Sequence, residues 1–167
     1  MKLAIWLAMF LLSACGGGGS SAPSPQIQAA APSPAPAVAP VSGQNLVSQS
    51  IDGQLIDRTF QIRAPVDQTE DSYPVVFFFH GAGGYGEGLL NAHPEIGDLI
   101  DSGEFIGIFP DGYQQQWNVS GENSADDVAF VSLIVNILEA DSKFNLDRIY
   151  GVGISNGAGL VNKIAKE

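Results

Sequence analysis

The sequence predicts an α/β fold, with helices on both faces of a mostly parallel, doubly wound sheet. Three observations lead there. The runs "PVVFFFHG" and "EFIGIFP" are too uniformly apolar for strands with one wet face, and fit strands buried on both. Segments of helical periodicity lie between the apolar runs, so strand and helix alternate. A third apolar run, "DRIYGVGIS", passes directly into "NGAGLVNKIAKE", the start of a helix, through a serine flanked by glycines.

Residues 1–14 stand apart from this pattern. Lys2 is a short positive region, and Leu3 to Leu12 is an apolar run. A bilayer span takes roughly 20 residues, so this run fits the core of a signal peptide instead. It closes on Leu12-Ser13-Ala14-Cys15, which resembles the bacterial lipobox, whose cysteine is acylated and becomes the new N-terminus. An ordinary secretory signal with an incidental cysteine is the alternative. Cleavage would remove Lys2 and take the net charge from −11 to −12. A surface of that sign repels nucleic acid and anionic headgroups. No nucleic-acid partner is therefore expected, and membrane attachment would come from a lipid on Cys15. Cys15 is the lone cysteine, so once acylated it leaves none for a disulfide or a metal site. The protein is expected to be exported, and held in the bacterial cell envelope or secreted.

Residues 15–43 run through Gly/Ser-rich and then Ala/Pro-rich repetition with no charge. Such a stretch buries no core and reads as a tether. The globular domain is expected over residues 44–167. "LVSQSI" and "QLIDRTFQIRAP" predict two strands joined by a turn at Asp52-Gly53. Between the two central strands, Gly88 to Ser102 predicts a short helix interrupted at Pro94. A longer helix is expected from Ser124. There Ser124-Ala125-Asp126-Asp127 has the form of a capping box, and Val128, Val131, Val135 and Leu138 follow at helical spacing.

Gly153-Ile154-Ser155-Asn156-Gly157 is a G-x-S-x-G pattern between a strand and a helix start. That is the context a nucleophilic serine needs: a turn sharp enough to project the hydroxyl from the sheet edge, with glycines where side chains would collide. The helix N-terminus beneath it favours a developing oxyanion. Acyl transfer also needs a second donor from the loop after an earlier strand. "HGAGG", His80 to Gly84, supplies that loop. The expected oxyanion donors are therefore the main-chain N–H groups of Asn156 and Ala82, with Gly81 beside the latter. His80 reads as a residue that fixes the loop. Gly81 to Gly86 also spells G-x-G-x-x-G, the dinucleotide fingerprint. The preceding histidine, the export signal and the second motif at Ser155 argue against it, and no cofactor or metal is expected.

Taken in order, "RTFQIRAP", the strand with "HGAGG", "FIGIFPDGYQQQWN", "DDVAFVSLIVNIL" and "DRIYGVGISNGAG" resemble the secreted polyhydroxybutyrate depolymerase and feruloyl esterase family of α/β-hydrolases, lipoprotein members included. The likeness covers most of residues 58–165. It implies that Ser155 is the nucleophile, that the loop with His80 and Gly81 meets the substrate and forms the oxyanion hole, and that Trp117 lies near the substrate or packs on its loop. Asp126 and Asp127 match paired aspartates of the family. Asp127 is expected to cap the helix and Asp126 to anchor the loop. Ala82 departs from the cysteine common at that place, which leaves the backbone donor intact. His93 and Asn118-Val119-Ser120 read as surface loop.

The resemblance implies an enzyme that hydrolyses carboxylic esters, either hydroxyalkanoate oligomers or feruloyl and acetyl esters of polysaccharide, through an acyl-enzyme. In this fold the triad follows the order serine, acid, histidine, yet no histidine follows Ser155. The chain is accordingly expected to be the N-terminal half of the domain, ending within the helix after the nucleophile and inactive by itself. Its last strand would then present an exposed apolar edge. A non-catalytic envelope lipoprotein that uses a hydrolase-like domain for binding is the competing class.

Overall fold

The computed structural model describes residues 41–167. The expected signal peptide, the Cys15 anchor and nearly all of the tether lie outside the described residues. The elements run β1 (Gly43–Ile51), β2 (Gln54–Arg63), β3 (Tyr73–Phe79), α1 (Gly86–Ala92), α2 (Pro94–Asp101), β4 (Ile106–Pro110), α3 (Asp127–Leu138), β5 (Phe144–Gly153) and α4 (Asn156–Ile164). They form one five-stranded sheet of order β1-β2-β4-β3-β5. β1 and β2 make an antiparallel hairpin, β2 meets β4 antiparallel, and β3 lies parallel to both β4 and β5.

The hairpin turn is where the sequence places it. Asp52 (φ 51°) and Gly53 (φ 76°) both hold positive φ, as the tight turns that match strand twist require. Pro94 does not interrupt a helix but opens one. It sits at the start of α2, where its missing N–H costs nothing, and His93 separates α1 from α2.

β3 shows why its run is apolar throughout. Val75, Phe77 and Phe79 point into a core closed by Phe130, Ile134 and Leu138 of α3 and Leu160 of α4. Phe78 points the other way, into a second core with Leu89 of α1, Ile100 of α2 and Phe109. Helices thus cover both faces of the centre. β5 differs: Tyr150 is 53 % exposed and Val152 48 %, the apolar edge that was expected. The chain leaves β3 for β4 on one side and returns to β5 on the other. This reversal makes the carboxyl end of β3 a switch point, where ligand crevices form in open α/β sheets. No helix among the described residues is long and apolar enough to cross a membrane.

The start of α3 corrects the sequence reading. Asp126, not Asp127, is the N-cap, and its carboxylate accepts from Ala129 N–H at 3.0 Å. Asp127 is buried, with Oδ1 at 2.8 Å from Arg58 Nη2 and Oδ2 accepting from Asn118 N–H at 2.6 Å. Ser124 lies outside the helix and its hydroxyl donates to Asp52. The physical reason is Arg58, a buried cation that draws one aspartate inward and leaves the other to cap. Its Nη1 donates to Gln49, its Nη2 also to the Asp111 carbonyl, and its guanidinium carbon stands 3.8 Å over the Phe130 ring. Burial pulls the guanidinium below its ordinary pKa, while Asp127 acts against that shift.

Removing one member of a buried ion pair leaves an uncompensated charge. Asp127→Ala is expected to lower unfolding free energy by about 3–5 kcal/mol, read from urea denaturation. The double change Arg58→Met with Asp127→Leu should lose clearly less. Equal losses would show that the pair is incidental.

Candidate active site

The strand-to-helix turn at the end of β5 is sharp, and its serine is strained. Ser155 has φ 52° and ψ −115°, a conformation that L residues rarely adopt and that costs about 1–3 kcal/mol. It stands at the N-cap of α4, where serine ordinarily turns its hydroxyl onto the helix amides, yet it makes no side-chain cap bond. The side chain is exposed. A serine that is strained and forgoes its cap is placed for something other than helix stability.

The flanking glycines are required by contact. A Cβ at Gly153 would lie 2.4 Å from the carbonyl of Gly157, and one at Gly157 would lie 2.3 Å from Phe79 O and 2.6 Å from His80 O. The helix start is pressed onto the end of β3. Ile154 N–H donates to Phe79 O across the same contact, at 3.1 Å.

That contact brings the "HGAGG" loop beside the serine, since a Cβ on Gly81 would stand 3.6 Å from Ser155 Cβ. Gly83 holds φ 78°, and its N–H donates to Gln115 O at 2.8 Å, while Gly84 N–H donates to Gly81 O. Gln115 reaches Gly83 from a turn in which Gln114 and Gln115 themselves sit at positive φ. Among the described residues, no group accepts from the N–H of Ala82 or Asn156. Both expected oxyanion donors are thus left unpaired, on the loop after β3 and on the first residue of α4.

His80 is buried and has no nitrogen to spare. Its Nε2 accepts from Gly112 N–H at 2.9 Å, which leaves Nδ1 as the protonated nitrogen, donating to Gly81 O at 2.7 Å. It fixes the loop, as the sequence suggests. His93 lies on the wall of a groove of about 490 Å³ that also includes Ala82, Tyr85 and Ile154. Its Nδ1 is 3.1 Å from Glu95, whose carboxyl is held below the usual range by its own main-chain N–H and by His93.

Trp117 is fully buried, so of the two roles the resemblance leaves open the structure places it in packing, beneath the site and not against a substrate. Its ring stands edge-on to Phe79 at 5.4 Å, and its Nε1–H donates to His80 O at 2.8 Å. Asn118 is no plain surface loop either. Its amide donates to Ala125 O, its N–H to Asp127, and its carbonyl accepts from Lys163 Nζ. Sequence reasoning missed the Asn156 side chain as well. Its Oδ1 accepts from Trp117 N–H at 2.7 Å and its Nδ2 donates to Trp117 O at 3.0 Å. Asn156, Gly159 and Lys163 meet Trp117, Val119 and Asn118 respectively, a spacing that puts all three on one helix face. That stripe was the signal available in the sequence.

The G-x-G-x-x-G reading meets a physical obstacle. The amide that would receive a phosphate, Gly86 N–H, already donates to the Asp111 carboxylate at 2.7 Å, and α1 spans only Gly86 to Ala92.

No known family model and no curated protein sequence matches this chain. Solved structures do match. An acetyl xylan esterase from Aspergillus awamori superposes with a TM-score of 0.57 at 18 % identity, over 74 % of this chain and 47 % of its own. The native form of a protein called sOPH gives 0.58 at 20 % identity, over 78 % and 48 %. A 2,6-dihydroxy-pseudo-oxynicotine hydrolase gives 0.53 at 20 % identity, over 72 % and 32 %. The chain therefore has the α/β-hydrolase fold, one it shares with carboxylic ester hydrolases. It spans about half the length of the first two structures and about a third of the last.

The elbow contacts predict unequal tolerance of glycine replacement. Gly157→Ala must push two backbone carbonyls aside and should cost about 1–3 kcal/mol or more. Gly151→Ala meets nothing nearer than 3.6 Å and should leave stability within about 1 kcal/mol. Thermal melts of the two variants check this, and equal melting temperatures would refute the close packing of the elbow.

Proposed function

We propose that this chain carries the nucleophile and oxyanion hole of a serine esterase that cleaves carboxylic esters through an acyl-enzyme. The observation that carries the proposal is Ser155, strained and uncapped between two unpaired amides, Ala82 N–H and Asn156 N–H. Ser155 Oγ attacks the ester carbonyl, and its proton passes to a histidine base as the tetrahedral intermediate forms. The two amides take the charge on the carbonyl oxygen. The alcohol leaves with a proton from that histidine, and water repeats the sequence to release the acid.

His80, with both nitrogens engaged, is not the base, and the base is assigned to a histidine from outside residues 1–167. The groove beside the glycine loop, with Leu89 and Tyr85 on its walls, receives part of the ester. Its lining is mostly apolar, which suits hydroxyalkanoate oligomers and the feruloyl or acetyl esters of polysaccharide. The strain at Ser155 weighs against a purely binding protein, since adhesion needs no such serine.

A fluorophosphonate probe offered to the protein from its native cells should attach to Ser155, located by peptide mass spectrometry. Attachment elsewhere, or labelling that persists in Ser155→Ala, would remove the assignment.

We also propose that Cys15 carries the lipid that holds the domain at the envelope. Growth with a labelled fatty acid should mark the wild-type protein, and Cys15→Ser should lose the label and remain unprocessed or go soluble. A labelled Cys15→Ser protein would place the anchor elsewhere.

A further inference from the structure

The two oxyanion donors come from segments far apart in sequence, yet the same residue reaches both. On one side the Trp117 main chain is gripped by the Asn156 side chain through two hydrogen bonds, 2.7 and 3.0 Å long. Asn156 N–H is itself one donor. On the other side the Trp117 indole N–H holds the His80 carbonyl at 2.8 Å. His80 in turn grips Gly81 O through Nδ1, one residue before Ala82, the second donor. Its Nε2 accepts from Gly112, and Gly83 is held by Gln115, so the far side of the glycine loop hangs on the same segment that delivers Trp117.

Trp117 itself has nowhere to go. It is fully buried, edge-on to Phe79, with its ring 4.8 Å from that of His80. The next residue, Asn118, is pinned by its N–H to Asp127, which is paired with Arg58.

From this geometry we propose that Trp117 is the positioning residue of the oxyanion hole. It sets the separation of Ala82 N–H and Asn156 N–H through two independent arms, the indole N–H and the main-chain amide pair. The proposal rests on the serine esterase reading but assigns something further. The tryptophan acts through other groups, from the interior, and touches no substrate. An oxyanion hole is effective because its donors are fixed before charge develops, and a misplacement of about 1 Å can cost on the order of 10²-fold in rate.

Two variants separate the arms. Trp117→Phe keeps an aromatic ring against Phe79 and loses the bond to His80 O. Asn156→Ala keeps its own N–H and loses the grip on the Trp117 main chain, and it serves if the first variant folds poorly. Hydrogen exchange of the full chain is followed in peptides covering residues 80–86 and 153–158, with the β1–β2 hairpin as internal control. Hydrolysis of a short p-nitrophenyl ester is followed with the protein from its native cells.

In both variants, exchange in those two peptides should quicken about tenfold, the scale of one net hydrogen bond, while the hairpin is unchanged. kcat should fall on the order of 10²-fold, with KM within about twofold, as befits an interaction expressed only in the transition state. Unchanged exchange in residues 80–86, or exchange that rises equally in the hairpin, would overturn the proposal. So would quickened exchange with kcat intact, or a loss carried by KM. A wild-type protein that hydrolyses no ester and takes no fluorophosphonate would instead sink the esterase reading, and the positioning role with it.

Discussion

The fold around the site depends on one buried cation. Arg58 sits inside the domain, and taking a guanidinium out of water costs several kcal/mol unless partners surround it. Here they come from three separate segments: Gln49 on β1, the Asp111 carbonyl after β4, and α3, which gives Asp127 at its head and the Phe130 ring one turn further on. None of these segments can leave without stranding the charge. The hairpin, the long loop after β4 and the third helix are therefore tied to one another, though the two members of the ion pair stand 69 residues apart. Among the described residues, one guanidinium nitrogen, Nε, has no partner. The surroundings are built for the two terminal nitrogens.

The consequences run outward to the serine. Asp127 holds Asn118, and the residue before it is Trp117, whose place between His80 and Asn156 is thereby settled. Strain at a residue persists only where its surroundings over-determine it. Ser155 meets that condition. α4 is pressed against β3 at Gly157, held to the Trp117 segment through Asn156 and Lys163, and linked to Phe79 through Ile154 N–H. The serine has little freedom to relax into a cap, and the N–H groups of Ala82 and Asn156 find no acceptor among the described residues. Preorganisation of this kind is a property of the packed interior, expressed at an exposed edge.

The two faces of β5 complete the contrast. β3, at the centre, has helices on either side and is apolar on both. β5 also carries apolar residues, but Ile149, Tyr150 and Val152 are left open to solvent, as is Ile154 just beyond its end. The elbow is thus sited at the border between a fully covered sheet and an uncovered strand, with Ile154 shared by that border and the groove beside the glycine loop.

Much of this was legible in the sequence because its causes are local. Asp52-Gly53 turns a hairpin through the dihedrals of two residues, "VVFFF" is a doubly buried strand by composition, and Gly153 and Gly157 mark the sharp turn around the serine, the first of them through a contact only four residues away. The glycines after His80 likewise announced a tight loop, in which Ala82 N–H has no acceptor among the described residues. What the sequence could not display were choices made across long separations. Asp126 and Asp127 are adjacent and chemically alike, and only Arg58, approaching from β2, decides which is buried and which caps. Trp117 reads equally as a substrate contact or as packing until the fold places His80 and Phe79 around it. The Asn156 side chain gains its meaning from a partner 39 residues away. Dihedral constraints and apolar runs are written residue by residue, so the sequence alone determines the elements and the elbow. Which polar group meets which depends on the three-dimensional approach of segments, and that only the tertiary structure decides.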